Sequence, residues 1–235
     1  MCLTEIEIDK TIKNVFTDVT KKNLEQKIKK VKKGKDSVCK KMKYSYIYGN
    51  SEFMKNEIIS FSIGRSFDSI MGSAYETIYK ELTFKNGHKQ LPSDFKPKHP
   101  ITGRNICYDI GFIHKETGES IVKEIKLGGN LDTKKIKQEK SSLLEVKKQY
   151  EETYKKPCKI SLGIFYITSD NKHDFLKEQA RILTEFDEHQ IEVEKEFWED
   201  TCGKGSFEII KKCIIKYQYI LENYLKEVKK LYISI

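Results

Sequence analysis

The chain has 235 residues, 38% of them hydrophobic and 34% charged, with a formal net charge of +9. Chains of this length bury roughly 70% or more of their unfolded surface, and aromatic residues (11%) and Ile/Leu/Val runs recur along most of the sequence, which excludes a disordered chain. No stretch approaches about 18 uninterrupted apolar residues, which excludes a membrane-spanning helix, and the charged start Met1-Cys2-Leu3-Thr4-Glu5 lacks the apolar run of a signal peptide, so a cytoplasmic location is expected.

A basic balance of this size fits a polyanion partner, usually nucleic acid. Codon bias in a low-GC genome produces the same lysine excess, so composition alone leaves both readings open. The six cysteines are scattered without a C-x-x-C pair, so no zinc knuckle or iron–sulfur cluster has an anchor. They read as reduced core thiols.

Residues 9–33 form a basic helical stretch with Ile12, Phe16, Val19, Leu24, Ile28 and Val31 among lysines. The lysine run from Lys27 to Lys43 reads as a solvated face or as a phosphate-contacting arm, the first being the plainer reading. Residues 66–83 are a clearer helix, because Phe67, Met71, Ala74, Ile78 and Leu82 recur at helical spacing. Ser66 is placed to cap its start. The stretch from Lys85 to Asn105 holds Pro92, Pro97 and Pro100 with His88 and His99, and is too long for a mere connector. Ile106 to Ile113 reads as a strand, His114 to Glu119 as a turn, and Ser120 to Leu127 as the return strand, closed by Gly128-Gly129. A polar helix over 131–155 follows, broken by Pro157, and then a buried strand from Lys159 to Thr168. From Phe207 the apolar residues Ile210, Cys213, Tyr217, Leu221, Tyr224, Val228 and Leu231 mark a C-terminal helix. The expected fold class is α/β (α+β), a central mixed sheet flanked by helices. We expect one domain over 1–235, with a core at about 60–170, a basic helical part at 1–59 and a helical part at 171–235.

Asp109 and Glu124-Ile125-Lys126 carry the chemistry. A metal-dependent phosphodiesterase needs carboxylates that share one Mg²⁺, which takes oxygen ligands at about 2.1 Å and keeps several waters. It also needs a cation beside the water or the phosphate. With Lys115 to Gly118 as the hairpin loop, residues pair when their numbers sum to 233, and Asp109 faces Glu124. Lys126 lies on the same face, because strand side chains alternate. With Thr117-Gly118 alone as the loop, Asp109 faces Lys126 instead and the three still share a face. A three-residue loop without a bulge would shift the register by one and break the set. Other Glu-x-Lys steps fall in helical patterns, where side chains two apart diverge. The bland alternative, a solvated cross-strand ion pair, does not explain an aspartate in an otherwise apolar strand.

The arrangement of helix, Asp-bearing strand, Glu-x-Lys strand, helix and strand over roughly residues 60–170 resembles the PD-(D/E)xK nuclease superfamily, whose type II restriction endonucleases share it. The resemblance implies a restriction-endonuclease-like fold and Mg²⁺-dependent, site-specific hydrolysis of double-stranded DNA, with Mn²⁺ able to substitute. It implies Asp109, Glu124 and the Ile125 carbonyl as metal ligands, Lys126 beside the attacking water, and Glu76 on the preceding helix as a helper. Tyr108 stands where a proline often precedes the aspartate. Glu124-Ile-Lys-Leu-Gly-Gly-Asn-Leu-Asp-Thr-Lys-Lys135, with Phe197-Trp198 and Gly203, is similar to a group of enzymes that cut GGNCC-like palindromes. A palindromic site implies a homodimer, and the restriction function implies a cognate DNA methyltransferase as a partner that forms no stable complex. Gln149 and Tyr154 are one residue too far apart for the Gln-x-x-x-Tyr of RecB-related members. Base readers are sought among Arg104, Asn130, Lys134 and Lys135. A structure-specific repair nuclease or junction resolvase of the same fold remains open, as do a non-catalytic nucleic-acid-binding module and a protein–protein adaptor.

Overall fold

A computed structural model describes residues 3–43, 52–128, 133–167, 169–183 and 186–234. In chain order the elements are α1 (Glu5–Lys32), α2 (Ser37–Lys43), α3 (Glu52–Lys85), β1 (Lys89–Gln90), β2 (Ile110–Ile113), β3 (Ser120–Gly128), α4 (Thr133–Tyr154), β4 (Cys158–Tyr166), α5 (Lys172–Glu178), α6 (Ala180–Leu183), a 3-10 turn (Glu188–Gln190), β5 (Ile191–Val193), α7 (Glu194–Cys202) and α8 (Ser206–Ile233). The chain divides into two compact units: a sheet unit, Met1–Glu5 with Tyr79–Ile209, and a helical unit, Ile6–Ile78 with Ile210–Ile235.

The sheet unit is an α/β fold around a mixed five-stranded sheet in the order β1-β2-β3-β4-β5. β1, β2 and β3 run antiparallel, whereas β4 and β5 join β3 in parallel. The crossover from β3 to β4 is α4, as a parallel connection requires. Alternation sends Val122 of β3 and Ile160, Leu162 and Ile164 of β4 to the face covered by α4, against Ile136, Leu143, Val146 and Tyr150. The opposite face receives α7. There Phe197 stacks on Tyr79 with ring centroids 4.1 Å apart, and Trp198 meets Phe165 at 5.3 Å. Trp198 is buried, as expected of a core anchor. Gly163 on β4 leaves room for this cluster, because a Cβ there would stand 2.1 Å from Phe197 Cε2.

The β2–β3 hairpin closes as a four-residue loop, with His114 N–H donating to the Glu119 carbonyl and Gly118 N–H to the His114 carbonyl, both at 2.8 Å. Gly118 has φ of 71°, a left-handed conformation that glycine adopts without a steric penalty. All the paired residues of β2 and β3, from Ile110↔Lys123 to Ile113↔Ser120, have numbers that sum to 233.

The helical unit packs the apolar stripes of α1 (Ile8, Ile12, Val15, Phe16), α3 (Ile58, Ile59, Ile70, Met71, Ala74, Ile78) and α8 (Ile210, Cys213, Tyr217, Leu221, Tyr224, Val228). The stripe of α8 ends on Tyr232 rather than Leu231. Polar ties join α1 to α8: Asp9 accepts from Lys216 Nζ and from the Tyr217 hydroxyl, each at 2.7 Å.

Several expectations need correction. Ser66 does not cap a helix. It lies buried inside α3, donating to the Ser62 carbonyl at 2.6 Å, and the helix begins at Glu52. The strand expected from Ile106 starts only at Ile110, since residues 97–106 fold back on themselves through Ile106 N–H to Pro97 O and His99 N–H to Arg104 O. β5 is not foreseen, and α7 lies within the part expected to be helical, 171–235, without being singled out. Cys107 is exposed, unlike the buried Cys158, Cys202 and Cys213; among the described residues every cysteine is unbridged. No helix among the described residues is long and apolar enough to cross a membrane.

Candidate active site

The site is built at the end of the β2–β3 hairpin. One step beyond the Ile110↔Lys123 pair, the register sets Asp109 beside Glu124. Asp109 stands just outside the ladder. Its carboxylate accepts the Ile125 N–H at 2.7 Å, which fixes the chain ahead of β2 against β3. Glu124 and Lys126 follow Val122 on the α4 side, with the Lys126 ammonium 2.7 Å from Glu124 Oε1. These two side chains are about four-fifths buried, with Lys126 24% and Glu124 14% exposed.

α4 contributes a residue that the sequence does not single out. Glu139 Oε1 accepts from Lys126 Nζ at 2.7 Å, so one ammonium bridges two carboxylates. The other oxygen, Glu139 Oε2, is buried without a hydrogen-bond partner among the described residues. The available signal was the position of Glu139 one turn into the helix after the Glu-x-Lys strand, but many polar residues of α4 share that register. A cavity of about 310 Å³ opens here, lined by Glu124, Glu139, Lys135, Gln138 and Cys107.

The electrostatics are strained in a particular direction. Burial first, and then the negative charge of Asp109, push the Glu124 carboxyl up to about 7. Lys126 is held charged above its ordinary value because Glu124 and Glu139 together outweigh its burial. The pocket thus carries more negative charge than one lysine neutralises. Among the described residues no group of three or more His, Cys, Asp or Glu forms a ready metal-ligand set. The donors brought together are two carboxylates and a strand backbone. That is a hard oxygen set, suited to a cation that keeps most of its waters.

Other expected residues fall as follows. Arg104 is exposed in the loop before β2, and Lys135 is exposed in the first turn of α4. Asn130 and the side chain of Lys134 lie outside the described residues. Glu76 is half-buried on the part of α3 that belongs to the helical unit. His88 is buried, with Nε2 2.9 Å from the Thr201 carbonyl and Nδ1 accepting the Lys115 N–H at 3.2 Å. Both bonds together require the neutral ring with its proton on Nε2. Gln149 clasps the loop instead of the site, accepting Lys98 N–H at 2.8 Å and donating to Lys98 O at 2.6 Å.

A second charged group lies on the opposite face of β3. Lys123 is fully buried, paired with Glu192 of β5 and, at 3.3 Å, with Asp200 of α7. The rings of Tyr79, Phe112 and Phe197 surround its ammonium at 5.7 to 5.8 Å. The two carboxylates and the rings keep it charged despite burial.

The chain matches no curated protein. Residues 89–218, more than half of its length, match the family described as Type II restriction endonuclease, HinfI. The matched span begins at β1 and contains Asp109, Glu124, Lys126 and Glu139, but not Glu76. With a mixed sheet, an acidic hairpin end and this match over most of the sheet unit, the chain belongs to the HinfI type II restriction endonuclease family.

Proposed function

We propose that the chain is a Mg²⁺-dependent, site-specific deoxyribonuclease, and that Asp109, Glu124 and Lys126 are its catalytic centre. The carrying observation is the juxtaposition of two repelling carboxylates with a bridging lysine at one hairpin end, inside the family-matched span. Asp109, Glu124 and the Ile125 carbonyl would hold the ion. When bound, Mg²⁺ supplies positive charge opposite the scissile phosphate and makes the attacking water more acidic. Mn²⁺ is expected to substitute.

The chain's own residues do the rest. Glu124 would share the ion with Asp109, and Lys126, tethered by Glu139, would orient the attacking water and steady charge developing on the phosphate. Glu139 is a positioning residue, since it acts through Lys126. Glu76 is carried as an assisting carboxylate on the resemblance alone. Double-stranded DNA is the substrate, and a palindromic site favours a homodimer in which each subunit cuts one strand. Arg104, Asn130, Lys134 and Lys135 are the candidate base readers, and a GGNCC-like palindrome is the candidate site class. Phe197 and Trp198 enter that likeness as core residues, because both are buried. A cognate DNA methyltransferase would protect host sites without a stable complex, and the proteins would act in the cytoplasm.

Digestion of mixed plasmid and phage DNA with Mg²⁺ tests this, beside EDTA and Asp109→Ala controls. Discrete bands lost in both controls are expected, and sequencing the ends gives the site. Cutting confined to branched DNA would replace this reading with a junction resolvase. Salt-sensitive binding of intact DNA without cleavage would replace it with a binding module.

A further inference from the structure

The lysine run that opens the chain does not simply face solvent. In the helical unit, α1, the segment leading into α2, and α3 enclose a cavity of about 270 Å³, several times the roughly 30 Å³ of one liquid water. Lys27, Lys30, Lys41 and Arg65 line it, against the single carboxylate of Asp36. Asp36 is buried and already committed, its Oδ1 accepting the Val38 N–H at 2.9 Å at the start of α2. The floor is polar as well: Ser62 and Ser66 line the pocket and are more than nine-tenths buried. Tyr232, 1% exposed, takes a hydrogen bond from Lys27 Nζ at 2.7 Å on its hydroxyl.

The cations crowd one another. Burial favours the neutral form of Lys27; Asp36 opposes it, and the smaller repulsion of Lys30 adds to it. An anion in the cavity would act in the same direction as Asp36. At the rim, Lys41 Nζ lies 4.8 Å and Arg65 Cζ 5.7 Å from the ring centre of Phe61, which is 58% exposed. This contact holds two cationic heads in place on an apolar surface. A hydroxyl-lined floor, four cations around it and an open mouth are the chemistry of an oxyanion site.

We propose that this pocket binds a phosphate group of the DNA backbone, anchoring the duplex through the helical unit independently of the catalytic hairpin. The proposal rests on DNA being the substrate, but not on cleavage. Phosphate contacts position a protein on the duplex without reading its sequence, and each adds to the salt dependence of binding.

The test measures binding of the full chain to a labelled duplex in EDTA across a series of KCl concentrations. Lys41→Gln/Arg65→Gln is compared with Lys10→Gln/Lys13→Gln, which removes the same charge from exposed positions of α1 outside the pocket. The pocket pair is expected to weaken binding about tenfold near physiological salt and to lower the salt slope by roughly 1 to 2, with sequence preference unchanged. The control pair should do markedly less. Equal losses in the two pairs overturn the proposal, since only net charge would then matter. Titration with inorganic phosphate separates the sources: phosphate binding lost in the pocket pair while duplex affinity and slope hold would assign a free phosphate and overturn the DNA reading. If the double variant melts below the wild-type chain, exposed Lys30→Gln is compared with the single variant Lys10→Gln in the same way. A wild-type chain that shows the pocket effect but cuts nothing supports this proposal and sinks the nuclease reading alone.

Discussion

At the candidate active site one lysine serves two carboxylates, and this makes its neighbours testable. Glu139→Gln keeps the size of the side chain but removes the charge that tethers Lys126. We expect kcat to fall about 10- to 100-fold, as for other groups that orient a first partner, with KM for DNA little changed. An unchanged kcat would leave Glu139 a structural residue only. Glu124 gives a pH prediction in the metal-free chain. Its carboxyl is raised to about 7 in the fold, so between roughly pH 4.5 and 7 the folded chain holds a proton that the unfolded chain has shed. Stability from this group therefore falls as pH rises through that window, by about 3 kcal/mol at full extent. Glu124→Gln should raise the melting temperature at pH 8, leave it unchanged near pH 4, and abolish cleavage. Asp109, Glu124 and Lys126 were legible because a strand period of two and one loop length decide their face. Glu139 was not, because its role comes from α4 docking on that face.

Among the elements, β3 is charged on both of its faces, and the two charges behave differently. Lys123 is fully buried, whereas its partners Glu192 and Asp200 keep 20% and 44% exposure. Removing the lysine leaves carboxylates that water can reach. Removing Glu192 leaves a buried ammonium with only the half-exposed Asp200, at 3.3 Å, as a carboxylate partner, and breaking a buried pair in this way costs about 3–5 kcal/mol. Denaturant unfolding should therefore rank Glu192→Gln as more destabilising than Lys123→Met, and the reverse order would contradict this account. On β4, Gly163→Ala would drive a Cβ to 2.1 Å from Phe197. Overpacking of that kind costs about 1–3 kcal/mol, read as a lower midpoint at an unchanged slope. The hairpin, α4, β4 and α8 could be read from periodicity. β5 has three residues and α7 nine, too short for a period to register.

For the whole molecule, the expected response is to acid and to salt. His88 holds the hairpin tip through Lys115 N–H and reaches the end of α7 through the Thr201 carbonyl, both with a neutral ring. Burial lowers its pKa below the ordinary 6.5. Above that value both folded and unfolded rings are neutral and the contribution is complete. As pH falls below about 6.5 the unfolded chain takes up the proton first, and stability is lost. Because Glu124 changes stability in the opposite sense over the same range, the loss is read as a difference: in thermal melts from pH 7.5 to 5 the stability of the wild-type chain relative to His88→Gln should fall. The net charge of +9 predicts DNA affinity that falls steeply with salt, and a flat response would contradict it.

Local rules suffice for much of this protein. Alternation and a four-residue loop place Asp109, Glu124 and Lys126 together, and the stripe of α8 follows from helical spacing. These depend on contacts between residues near in sequence. Tertiary structure alone decides which distant groups join them: Glu139 beside Lys126, Glu192 beside Lys123, Thr201 against His88, and the serines and tyrosine under the lysines of α1. Those partners are separated by from about a dozen to some two hundred residues. Their meeting is set by how apolar faces bury against one another, and no local period in the sequence records it.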